Sequence, residues 1–158
     1  MHKLIFLTLL SVNLYSEDSI YSINKLIKNN LSFVQTTESG SKEINSKGIL
    51  LHNKDFIEIT IDFPTKEKYI IQDSIIEIYD YEFNQSQTIE INDDNSFLFD
   101  ILTNGIETDE IHNINNNSFS VLRNDDQFFV NIISDSSFSI SYNDNMDYKN
   151  LIVFEVLQ

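Results

Sequence analysis

A chain of 158 residues fits one domain and is long enough to bury a core. Ten Lys and Arg against 25 Asp and Glu give a formal net charge of −15. That excludes nucleic-acid binding, which rests on neutralising phosphates, and charge-driven adhesion to an anionic membrane; it also makes copies of the chain repel one another, which implies a monomer. With no cysteine, thiol catalysis, disulfides, iron–sulfur clusters and lipid attachment at an N-terminal Cys are excluded too.

The N-terminus opens with the positively charged Met1-His2-Lys3, then the apolar run "LIFLTLL" (4–10), then small and polar residues to Ser16. This pattern predicts a secretory signal peptide over residues 1–16. A membrane-spanning helix needs about 20 apolar residues, and Asn13 and Glu17 interrupt this run too early. Removing the segment takes Lys3 with it and leaves residues 17–158 at −16. No later stretch is long and apolar enough to span a bilayer.

"DSIYSINKLIKNN" (18–30) places Ile20, Ile23, Leu26 and Ile27 on one face at helical spacing, with Asp18 or Ser19 to cap the start and the Asn29-Asn30 pair to end it. The period then switches to two. "LSFVQTTES" (31–39) is a strand running to a turn at Gly40, and 48–52 is a short apolar strand. "FIEITIDF" (56–63) alternates Ile57, Ile59, Ile61 and Phe63 with Glu58, Thr60 and Asp62, and Pro64 stops it. "KYIIQ", "SIIEIYD" and "QTIEI" continue the meander. "SFLFDILTN" (96–104) fits a short helix or a strand equally. After a polar loop at 113–117, "DQFFVNII", "SFSISYN" and "LIVFEVLQ" read as three more strands; in the second, Phe138, Ile140 and Tyr142 share a face. The expectation is one amphipathic helix followed by about eight or nine antiparallel strands.

One helix of about 13 residues is roughly 20 Å long, and eight strands spaced about 4.8 Å apart make a sheet far wider. The helix cannot cover the apolar face, which has to be covered by something. The sheet therefore curls on itself, and either leaves an apolar hollow under the helix or fills with its own side chains; alternation alone leaves both open.

Catalytic patterns are missing from the sequence. His52 and His112 stand in no ligand spacing, and there is no nucleophile elbow, phosphate loop or dinucleotide fingerprint. The acid pairs Asp93-Asp94 and Asp125-Asp126 lack the surrounding pattern of a calcium loop and read as solvated turn residues. The expectation is a protein that is not an enzyme and needs no cofactor or metal.

The succession Phe33-x-Gln35, Gly48-x-Leu50, Phe56, Pro64, Asp73 and Tyr79-Asp80-x-x-Phe83-x-Gln85, behind an export signal and an amphipathic helix, resembles the periplasmic outer-membrane lipoprotein carrier family, the LolA proteins. The resemblance runs over roughly residues 18–158, and "SFLFDILTNG" is similar to the helical segment that follows the family's hairpin. It implies a mainly β (α+β) fold: a curved antiparallel sheet forming an open half-barrel, lidded by the N-terminal helix and a second short helix.

The implied function is to shield the acyl chains of lipoproteins in the periplasm. Such a carrier takes cargo from an inner-membrane lipoprotein-releasing transporter and passes it to an outer-membrane acceptor. The alternative is a periplasmic binding or scaffolding protein with the same barrel and a filled core. On the carrier reading, Ile57, Ile59, Ile61 and Phe63 line the cavity, Ile20, Ile23, Leu26 and Ile27 face it from the lid, and Ile76, Ile78, Ile89 and Ile91 are further lining candidates. Tyr79, Asp80, Phe83 and Gln85 fix a turn. The sequence departs from the family in lacking the Arg-Pro pair before the Phe strand, where "LHNKDF" stands; His52 and Lys54 are candidate substitutes for the Arg that helps latch the lid, and no latch is assigned. It also has no tryptophan and stops where relatives continue through another hairpin.

Overall fold

The structure, a computed structural model, describes residues 19–91, 97–112, 115, 117–123, 126–144 and 146–158. The expected signal peptide and the acids Asp18, Asp93, Asp94 and Asp125 lie outside the described residues.

Helix α1 spans residues 19–27. Its apolar spacing does what it predicted: Ile20, Ile23, Leu26 and Ile27 are all buried, while Tyr21 on the other side is exposed. Asn29 closes the helix, its side-chain amide donating to the carbonyls of Lys25 at 2.8 Å and Leu26 at 3.2 Å.

Eleven strands follow in one antiparallel sheet: β1 (Leu31–Ser39), β2 (Lys42–His52), β3 (Ile57–Phe63), β4 (Glu67–Gln72), β5 (Ile75–Asp80), β6 (Gln85–Glu90), β7 (Ile111–His112), β8 (Ser118–Arg123), β9 (Asp126–Ser134), β10 (Ser137–Asn143) and β11 (Lys149–Val156). Their order is β6-β5-β4-β3-β2-β1-β11-β10-β9-β8-β7. Strands pair with their sequence neighbours within β1–β6 and within β7–β11, and the last strand returns to pair with the first, Phe33 opposite Phe154. The sheet is open, with β6 and β7 as its edges.

The alternation places one row of side chains inward. Across the sheet, Ile78, Tyr69, Ile59, Leu50, Leu31 and Val156 form one continuous ladder. A second runs Ile61, Gly48, Phe33, Phe154 and Phe138. Phe138 stacks on Phe154 with ring centroids 4.8 Å apart, and Phe154 meets Phe33 at 6.1 Å. The outward alternates are polar where expected, and Lys68 pairs with Glu58 at 2.9 Å on that side.

The sequence expectation missed part of the sheet. The first half of β2, Lys42 to Lys47, is polar apart from the exposed Ile44 and holds its place by pairing with β1, so it carries no apolar alternation. Strand β8 went unassigned although its Phe119 and Val121 alternate inward and are buried. The two-residue β7 is too short to show a period.

The segment that fitted helix or strand equally is helix α2 (Phe97–Asn104), with Ile101 and Leu102 buried. Gly105 ends it at φ 83°, its N–H bonded to Ile101 at 2.8 Å. No helix among the described residues is long and apolar enough to cross a membrane.

Candidate functional site

The sheet has two ends, one where the chain enters β1 from α1 and one opposite, where β1 turns into β2. At the first end the interior is solid. Ile23, Leu26 and Ile27 of α1 pack in one cluster with Leu31, Ile57, Ile71 and Ile76. Each fully buried aliphatic side chain of this kind stabilises the fold by about 1.5–3 kcal/mol.

Toward the opposite end the sheet outruns α1 and a half-open cavity of about 520 Å³ remains. One wall comes from β1 to β4, through Phe33, Leu50, Ile59, Ile61 and Tyr69; the other comes from β9 to β11, through Phe128, Tyr142, Ile152 and Phe154. Side chains from β4 and β9, six steps apart in the sheet order, line one space, so the sheet is curled. Leu98, Phe99 and Leu102 of α2 form the roof. Gln35, Asp126, Asn143, Asp144 and Met146 stand at the mouth.

Of the twelve residues expected to line a cavity, Ile59 and Ile61 do so. Ile20, Ile23, Leu26 and Ile27 are buried core residues outside the cavity lining, as are Ile57 and Ile76, because α1 packs its apolar face onto the sheet there. Ile78 and Ile91 are partly buried against that core, and Ile89 is half-buried opposite Ile76.

Phe63 turns outward and is 51% exposed. A bulge is the cause: Gly48 pairs with Ile61 and Lys47 with Phe63, so Asp62 is the extra residue and Phe63 joins the outward register of Lys47. Gly48 is required there. A Cβ on it would lie 2.0 Å from the Thr60 carbonyl oxygen and 2.8 Å from the Phe33 ring.

The α2 roof, Leu98, Phe99 and Leu102, was hidden in sequence because its segment fitted two structures. Phe33, Phe128, Ile152 and Phe154 sit in strands whose alternation was legible, and only the curl brings them together.

The polar ties of the roof come from residues far apart in sequence. Arg123, the only arginine in the chain, has an 11% exposed side chain at the end of β8. It donates to Asp100 of α2 at 2.5 Å, to the Gly105 carbonyl at 3.0 Å and, with two nitrogens, to both carboxylate oxygens of Glu110. Burial alone would raise the Glu110 pKa; the hydrogen bonds from Arg123 and the Glu107 N–H, with the guanidinium charge, outweigh it and hold the carboxyl below its ordinary value.

In the stretch "LHNKDF", His52 meets the end of α1. Its backbone N–H donates to the Asn30 side chain at 2.9 Å, and its Nε2 is buried with no partner among the described residues. Burial lowers its pKa, and a hydrogen bond to the Ile27 backbone opposes that.

The turn residues divide. Asp80 accepts from the N–H groups of Glu82 at 2.9 Å and Phe83 at 3.1 Å and so organises the β5–β6 turn. Phe83 is 66% exposed, and the Tyr79 hydroxyl donates to Glu77 on its own strand at 2.8 Å.

Behind Gln35, the buried Asn150 of β11 accepts from Gln35 at 3.0 Å and Thr37 at 2.7 Å. Burial and nearby carboxylates, Glu67 for Tyr69 and Asp144 for Tyr142, push both tyrosine pKa values up, so the cavity's two hydroxyls stay protonated. Among the described residues no group of His, Asp and Glu is arranged to hold a metal ion.

No family model matches the sequence, and no curated protein does. Among solved structures, a DUF1329 family protein from Desulfovibrio piger ATCC 29098 is similar over 89% of this chain and 90% of that one, with a TM-score of 0.49 and 13% sequence identity. At that distance the likeness carries nothing about what this chain does.

Proposed function

We propose that this chain is an exported carrier that shields lipoprotein acyl chains between the inner and outer membranes, in the manner of the LolA proteins its sequence resembles. It receives cargo from an inner-membrane transporter and yields it to an outer-membrane acceptor, without catalysis. The observation that supports this best is the half-open cavity, walled by aromatic and aliphatic side chains and roofed by one short helix. Its volume of about 520 Å³ is in the range of ligand sites, which run from roughly 300 to 1,000 Å³. Interiors otherwise pack to crystal density.

Each CH₂ hidden from water contributes about 0.8 kcal/mol, and that attraction has no preferred direction. Such a site holds a chain by area and lets it slide out without breaking a polar anchor. The solid core under α1 favours the second reading, a binding or scaffolding protein whose barrel is filled.

Mass spectrometry of protein purified from the periplasm separates the two. Acylated species are expected to co-purify with the unmodified chain and to be lost from Ile61→Glu and from Phe99→Glu, both at half-buried positions on the cavity wall and roof that leave the solid end intact. A chain that brings down no acylated species and takes up no apolar dye supports the filled-barrel reading.

A further inference from the structure

The cavity has an apolar body and a one-sign mouth. Its charged lining residues are both carboxylates, Asp126 at the start of β9 and Asp144 just beyond β10, and no Lys or Arg lines it. The Asp126 side chain has no ion-pair or hydrogen-bond partner among the described residues. One oxygen of Asp144 is used by the turn it caps, accepting from the N–H groups of Met146 at 2.9 Å and Tyr148 at 3.0 Å; the other, among the described residues, receives a long hydrogen bond of 3.4 Å from Asn150. Beside the opposite wall, though outside the cavity lining, Glu67 accepts from the Tyr69 hydroxyl at 2.5 Å and stands opposite Asp80 in register. Lys149 sits in a neighbouring groove that Asp126 also borders, with no ion pair between them.

From this juxtaposition we propose that the mouth selects the polar end of the occupant: the cavity takes an apolar chain whose emerging end is positively charged and turns away chains that end in a carboxylate or phosphate. This rests on the carrier reading and narrows it. A cleft lined by one sign of charge between low-dielectric walls concentrates its field at the opening. An ammonium or guanidinium arriving there gains, and an anion meets like charges with no cation in the cavity lining; Lys149 lies in the adjoining groove. For an acylated protein, the favoured cargo carries basic residues beside its lipid anchor.

The test is competition against Nile red, an uncharged dye that brightens in apolar surroundings, on the purified protein at neutral pH. The competitors are dodecyltrimethylammonium and dodecanoate, which share a chain and differ in head charge, each below its micellar concentration. The cation is expected to displace the dye at a concentration about tenfold or more below that of dodecanoate. The ratio is expected to shrink as salt rises and to fall in Asp126→Asn, a near-isosteric change at a partly exposed position. Equal displacement by the two, a preference for dodecanoate, or a ratio insensitive both to salt and to Asp126→Asn overturns the selectivity while leaving the carrier reading in place. No uptake of dye and no binding of either amphiphile overturns both.

Discussion

The side-chain amide of Asn24 closes a two-bond ring with Ile106: it donates to the Ile106 carbonyl at 2.9 Å and accepts from the Ile106 N–H at 2.9 Å. Asn24 is on α1 and Ile106 follows α2, so the helix that seals the solid end of the barrel is tied to the one that roofs the hollow. Gly105 makes room for the ring, since a Cβ there would lie 2.7 Å from the Asn24 oxygen.

Asn24→Leu leaves both backbone groups of the buried Ile106 without their partner. Loss of about 2 kcal/mol is expected in urea unfolding, the usual cost of stranding buried polar groups. Hydrogen exchange is expected to rise across residues 97–106 in particular, because the roof is freed while the sheet stays paired. Uniform change over the whole chain would mean that the ring is not a local tie.

Gly48→Ala tests the bulge. The added methyl clashes with both the β3 backbone at Thr60 and the Phe33 ring on the cavity wall. Overpacking of this kind costs about 3 kcal/mol or more when backbone is the obstacle. The expected outcome is a large fall in the thermal midpoint, with the β2–β3 pairing disturbed. Wild-type stability would show that this approach relaxes at no cost.

Arg123→Gln strands two acids, Glu110 and Asp100, with side chains 18% and 35% exposed. Breaking a largely buried pair costs about 3 kcal/mol, and the wetter Asp100 contributes the smaller part. The sign with pH follows from Glu110. Its folded pKa lies below the unfolded one, so its stabilisation is complete above the ordinary carboxylate value of about 4.3 and is lost as pH falls through the folded value. The stability gap between wild type and variant, measured by denaturant titration at several pH values, is expected to narrow on acidification to about pH 3.

His52 acts in a higher window. Its folded pKa lies below the ordinary histidine value of 6.5, so the unfolded chain binds the extra proton first. Stability is full above about pH 6.5 and declines as pH falls below it. His52→Leu removes the titration and the unpartnered buried Nε2 together. The variant is expected to match or exceed wild type at pH 7.5 and to lose the decline that sets in below about pH 6.5. An unchanged decline would assign it to other groups.

Much of the architecture follows from the chain read alone, because it is written in local periods. The 3.6-residue spacing of Ile20, Ile23 and Ile27 requires a helix with one dry side, and the two-residue alternation of Ile57, Ile59 and Ile61 requires strands with one dry face. The width of so many strands against one short helix already demanded a curled sheet. Tertiary structure decided where the space went. Whether an inward residue meets a helix or a void depends on how far α1 reaches along the sheet, and no local pattern encodes that; Ile57 and Ile61 look alike in sequence, yet one is packed and the other lines the cavity. Phe63 obeys the period and still faces out, since a bulge across from Gly48 shifts its register. Arg123 holds Asp100 across 23 positions, and Asn24 holds Ile106 across 82. Side-chain ties at such separations are set by the closed fold, in which the curl of the sheet brings distant segments within hydrogen-bonding reach.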